Sequence, residues 1–127
     1  MKPIGRKRWA IAEGYIPPQS TGTTRQLRSH ETACLLNASD QDAHVEITIF
    51  YADREPGGPH KITVPARRTH HQRYCDLGVP ADTDYSSVIE SDVPIVVQHT
   101  RLSWLPSSSA LTLPFGNRGV SLPAQGS

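Results

Sequence analysis

Long apolar runs, disulfide-forming cysteine pairs, aromatic residues and an excess of charge of either sign are all scarce in this sequence. No stretch approaches the roughly 18 apolar residues of a membrane-spanning helix. The basic start, Met1 to Arg8, is followed by no apolar segment, so no secretory signal is expected and the chain reads as cytoplasmic. The two cysteines, Cys34 and Cys75, are then read as reduced thiols in core or semi-buried positions. Lys and Arg number 13 against 12 Asp and Glu, which gives the whole domain no electrostatic case for nucleic acid or a membrane surface. The chain also lacks a glycine-rich phosphate loop, a Gly-x-Ser-x-Gly elbow, a His-Glu-x-x-His helix and a Cys-x-x-Cys pair. These absences argue against an enzyme, a cofactor or a metal site.

What is plentiful is punctuation. Eleven prolines and nine glycines in 127 residues divide the chain into short segments. Ala43 to Tyr51 (AHVEITIFY) alternates strictly, which places Val45, Ile47, Ile49 and Tyr51 on one face of a strand. Lys7–Ala12, Thr32–Ala38, His60–Val64, Arg68–Tyr74, Ser86–Glu90 and Ile95–Leu102 read as further strands. Glu55 to Pro59 is a hairpin turn, and Asp92-Val93-Pro94 is a corner between the last two strands. About seven to eight short strands with regular turns predict an all-β fold, an antiparallel β-sandwich. The predicted domain spans 1–102, with an edge strand at 110–115 and a flexible tail over 116–127.

Several polar groups are candidates for function, each with a structural alternative. Trp9, Glu13 and Tyr15 set an aromatic plate near a carboxylate, an arrangement that holds sugars; alternatively, Trp9 is core. His30-Glu31 enters the second strand, either toward a ligand or to bond loop backbone. His70-His71 are adjacent in a strand, so they point to opposite faces and do not share an ion. Arg67, Arg68 and Arg73 either contact an anion or form a solvated edge that discourages aggregation. Gln98, His99 and Arg101 are the most informative group. His99 and Arg101 continue the apolar face of Ile95 and Val97, so they must meet partners, reach water or line a cavity.

The runs WAIAEGYIPP at 9–18, SHETACLLNASDQDAHVEITIFYADREPGGPHKITVPARRTHHQR at 29–73 and DTDYSSVIESDVPIVVQHTRL at 82–102 resemble the sensory rhodopsin transducer family. The resemblance implies a small, non-enzymatic β-sandwich that assembles as a homo-oligomer, a tetramer. It implies a small-molecule ligand, with sugars the leading suggestion, and for the rhodopsin-associated type a membrane rhodopsin partner or DNA. Trp9, Glu13, His30, Glu31, Asn37, Arg67, Arg68, Gln98, His99 and Arg101 match the family's distinctive polar positions. All of these except Arg67 make up the expected ligand site. In it, Arg101 or Arg68 holds an anionic or hydroxyl-rich group, Glu13 and Glu31 accept from hydroxyls, and Trp9 is the apolar plate. The alternative function is a DNA-binding regulator that uses the Arg67–Arg73 strand. The sequence departs from the family in a short Asp76–Asp82 loop and in Ser103-Trp104-Leu105-Pro106 after Leu102.

Overall fold

The computed structural model describes residues 2, 4–18, 29–102 and 122–123. The loop read over Gln19–Arg25, the edge strand at 110–115 and the Ser103–Pro106 departure lie outside the described residues. Among the described residues, seven strands pair antiparallel: β1 (Arg6–Gly14), β2 (His30–Asn37), β3 (Ala43–Tyr51), β4 (Gly57–Val64), β5 (Arg68–Arg73), β6 (Tyr85–Leu102) and β7 (Leu122–Pro123). A 3-10 turn, Tyr74–Leu77, follows β5. No helix among these residues is long and apolar enough to cross a membrane.

The strands make an all-β antiparallel sheet curled on itself, rather than two sheets that share no strand. One path of hydrogen-bonded neighbours runs β4-β3-β6-β1-β7, and β6 also pairs with β2, which pairs with β5. β6 is therefore common to both halves. Its first part, Tyr85–Ser91, pairs with β3, and its last part, Val96–Leu102, pairs with β2. The sequence reading divides this strand at Asp92-Val93-Pro94. The corner is real, but the strand runs through it. Arg6 of β1 pairs with Ile95 while Arg8 pairs with Glu90, so β1 cuts across the corner and β6 bulges outward there. Proline lacks the N–H a ladder needs, and a bulge is where a strand tolerates it. At the corner the His44 amide donates to the Asp92 Oδ1 at 2.8 Å. Gly5 crosses so closely that a Cβ there would lie 2.0 Å from the Ile95 carbonyl oxygen.

The core fills the inside of the curl. Val45, Ile47 and Ile49 are buried, as their alternation predicts, and Leu35, Ile89, Ile95 and Val97 join them. Along β6 the inward set holds one parity from Tyr85 through Ser87, Ile89, Ile95 and Val97 to His99. Leu122–Pro123, within the stretch read as a tail, pairs with Trp9 and Ala10 on the outer edge of β1. Cys75 is exposed on the 3-10 turn rather than semi-buried, and Cys34 is partly buried; both are free thiols.

Candidate functional site

The bend in β6 has a chemical consequence at Glu31. This residue sits on the inward face of β2 and has no exposed surface. An ionised carboxylate there is tenable only if its oxygens are fully partnered. Arg101 Nε donates to Oε2 at 2.7 Å, and the Tyr85 hydroxyl donates to Oε1 at 2.5 Å. His99 Nε2 lies 3.2 Å from Oε1, and the Tyr15 amide donates to both oxygens at 3.2 Å. A carboxylate only accepts, so His99 carries its hydrogen on Nε2.

Burial pushes the Glu31 pKa up. The hydrogen bonds from His99 and Tyr85, the charge of His99 and the Tyr15 amide outweigh it, and the group titrates below its ordinary value of 4.5. The same environment acts oppositely on the phenols. Burial, then the neighbouring Glu31 charge and its hydrogen bond, raise the Tyr85 pKa. Burial also pushes Tyr74 up, to about 12, although its hydrogen bond with Ser87 works the other way. The Tyr74 ring packs 5.0 Å from that of Tyr85 and 6.0 Å from that of His99, which closes the network on its inner side.

Tyr85 also forms part of a second feature. At the end of the sheet where β1 and β3 finish and β6 begins lies an open cleft of about 420 Å³. Glu13, Phe50, Tyr51, Asp84, Tyr85 and Ser86 supply most of its lining. A bulge in β1 makes room for it. Ile11 pairs with Ser87 and Gly14 with Tyr85, so Ala12 and Glu13 face a single residue of β6. Bulges of this kind re-aim side chains beside functional sites. The Ser86 hydroxyl fixes the bulge by donating to the Ala12 carbonyl at 2.6 Å. Gly14 is needed behind the cleft, since a Cβ there would lie 2.3 Å from Tyr85 Cζ.

The residues nominated from sequence therefore separate. Glu31, His99 and Arg101 come together in the buried network, with His30 partly buried at the start of the same strand. Glu13 lies apart from them in the cleft. Trp9 does not offer a plate: it is 8% exposed, and its indole N–H donates to the Arg6 and Ile95 carbonyls, both at 3.1 Å, across the bend. Asn37 is fully buried and its amide is consumed by backbone. Nδ2 donates to the carbonyls of Gln41, Val64 and Pro65, and Oδ1 accepts from Ser39. It is the pin of the β2–β3 corner.

Gln98 is exposed on the outer face of β6. Arg68 is exposed on β5 and donates to the Arg67 carbonyl, while Arg67 faces Asp40 at 3.6 Å. Arg68 and Arg73 are five residues apart in one strand, so alternation sends them to opposite faces and β5 presents no continuous basic stripe.

Sequence reasoning missed Tyr85, Tyr74 and Ser87 in the network, and Phe50, Tyr51 and Asp84 in the cleft. A signal existed for Tyr85: it opens the inward set Tyr85, Ser87, Ile89, and a buried phenol requires a partner. Among the described residues, no group of three or more His, Cys, Asp and Glu could hold a metal ion.

Comparison with known proteins gives this geometry its context. No curated protein matches the chain. A solved structure described as the Anabaena sensory rhodopsin transducer is 60% identical, with a TM-score of 0.69, over 79% of this chain and 100% of that one. The crystal structure of Thermotoga maritima 1070 is 29% identical, with a TM-score of 0.76, over 97% of this chain and 98% of that one. The model of the family described as the Anabaena sensory rhodopsin transducer matches residues 4–114. That match spans most of the sequence, and the chain belongs to the Anabaena sensory rhodopsin transducer family.

Proposed function

We propose that this protein is a non-enzymatic, cytoplasmic signal-transducing domain that binds a small, sugar-sized molecule in the cleft between Glu13, Phe50 and Asp84. The observation that carries this reading is the cleft itself. It is concave, it has aromatic and carboxylate side chains on its walls, and it shares Tyr85 with the buried Glu31 network. Ligand sites combine apolar rings with a few placed polar groups in this way. The link through Tyr85 offers a route from cleft to core, because a ligand that moves this ring also moves a donor of Glu31.

The non-enzymatic reading is supported by the state of the acid–base groups. Glu31 is sealed from solvent with its oxygens occupied, so it has no reach to a reacting atom. The free thiols Cys34 and Cys75 fit a reducing compartment. Assembly belongs to the same reading: a closed homo-oligomer, a tetramer, with a membrane rhodopsin as a partner of the type named for the Anabaena relative. The DNA-binding alternative gains nothing from β5, whose arginines diverge.

Thermal-shift measurements against sugars, sugar acids and nucleotides test the proposal, because a ligand that binds only the folded state raises its melting temperature. A sugar-class hit that is lost on Phe50→Ala supports it. Hits indifferent to every cleft substitution would sink it. Light scattering tests the assembly: a monomer mass over a wide concentration range would overturn the oligomer.

A further inference from the structure

The cleft carries a chemical preference that its shape alone does not impose. Among the described residues, its lining contains two carboxylates, Glu13 and Asp84, and three aromatic residues, Phe50, Tyr51 and Tyr85, and no lysine or arginine. Neither carboxylate is ion-paired with a described residue, and Glu13 and Asp84 are both exposed. Phe50 lies on the outward face of β3 and leaves 42% of its surface open beside these carboxylates. An aromatic face carries negative potential, and carboxylates beside it add to the same sign. Such walls repel anions and gain little from a neutral polyol beyond hydrogen bonds. They attract an ammonium group whose carbon skeleton lies against the rings. The absence of a convergent metal-ligating set among the described residues separates this from a divalent-cation site.

The described residues already use this chemistry. The Arg54 guanidinium lies 5.1 Å from the centroid of the Tyr51 ring, and the Asp53 carboxylate holds it there through bonds of 2.9 and 3.1 Å. A cation, a ring face and a carboxylate are thus combined on a residue that also lines the cleft. Tyr85 adds to the effect from behind, since its hydroxyl is committed to the Glu31 carboxylate and that bond makes the ring richer in electrons.

We infer that the cleft formed by Glu13, Phe50, Tyr51, Asp84 and Tyr85 selects a small organic ammonium compound, an amine-bearing sugar or a molecule of similar size, over its neutral and anionic counterparts. The inference rests on the reading of this cleft as a ligand site and adds the charge class of the ligand. Glu13 and Asp84 neutralise the ammonium group, and Phe50 covers its carbon skeleton.

Three isosteric probes test it: D-glucosamine, D-glucose and D-glucuronate, each titrated into the full-length, isotopically labelled protein and followed by amide chemical shifts. Glucosamine should shift the amides of Glu13, Phe50, Asp84 and Ser86, and should bind at least about tenfold more tightly than glucose. Its affinity should fall as salt is raised, which glucose binding should not. Glu13→Gln and Asp84→Asn should each weaken glucosamine by about fivefold or more while the chain melts as the wild type does. Glucose or glucuronate binding at these amides as tightly as glucosamine would overturn the charge preference and leave the cleft as a ligand site. Glucosamine affinity unchanged in both variants would also overturn it. No cleft shift with any of the three probes would remove the preference and the ligand site together.

Discussion

Tyr85 and Arg101 stand near opposite ends of one strand, yet they donate to the two oxygens of a single carboxylate, that of Glu31. A straight strand would hold these residues on the order of 50 Å apart at about 3.3 Å per residue. The bulge at Asp92-Val93-Pro94 and the curl of the sheet remove that separation. Glu31 is therefore the point at which the two halves of the sheet are tied. The tie is electrostatic, and it lies beside a hydrophobic core that would tolerate no unpaired charge.

Loss of the tie should be felt without any ligand. Arg101→Ala removes a charge-assisted bond to a buried carboxylate and should cost about 1.5–3 kcal/mol of unfolding free energy. Glu31→Ala removes the acceptor shared by Arg101, His99 and Tyr85 and should cost more, about 3–5 kcal/mol. Denaturant titration at neutral pH measures both. An Arg101→Ala chain as stable as the wild type would mean that the pair holds nothing together.

The pH dependence follows in sign. Glu31 has a folded-state pKa below the ordinary 4.5, so its contribution is fully present above 4.5 and is lost as pH falls through the lower folded value. Tyr74 has the opposite arrangement. Its folded-state pKa is raised from 10.0 to about 12, so its contribution is present below pH 10.0 and is lost as pH rises toward about 12. Stability measured against pH should fall at both ends. Glu31→Gln should flatten the acid limb, and Tyr74→Phe should make the alkaline limb shallower, leaving the part that Tyr85 contributes. Curves that stay parallel to the wild type would exclude these two groups as the origin.

Gly14→Ala should destabilise the chain despite adding one methyl group. The new Cβ would lie 2.3 Å from Tyr85 Cζ, and that ring is held by Glu31 on one side and packed by Tyr74 on another. Overpacking of this kind costs about 1–3 kcal/mol. The cost should largely vanish in a Tyr85→Ala background, because the two changes share one clash. A double-mutant cycle by denaturant unfolding reads the coupling, and additive effects would contradict the steric account.

The amino-acid sequence by itself determined the all-β antiparallel class, the span of β3 and the inward set Val45, Ile47 and Ile49. It also marked His99 and Arg101 as charged or polar groups on an apolar face that had to find partners. These are local facts, because period-two alternation states which side chains share a face and where turns interrupt them. Alternation carries no information about how far a sheet curls. Only the tertiary structure decided that Tyr85 reaches the same carboxylate as Arg101, that Trp9 spends its indole N–H on the bend, and that Asn37 pins a corner. It also separated Glu13 from Glu31, since the bulge at Ala12–Glu13 turns one toward the cleft while β2 seals the other inside. Contacts between residues distant in sequence depend on the summed bend, twist and register of several strands, and no single segment encodes that sum.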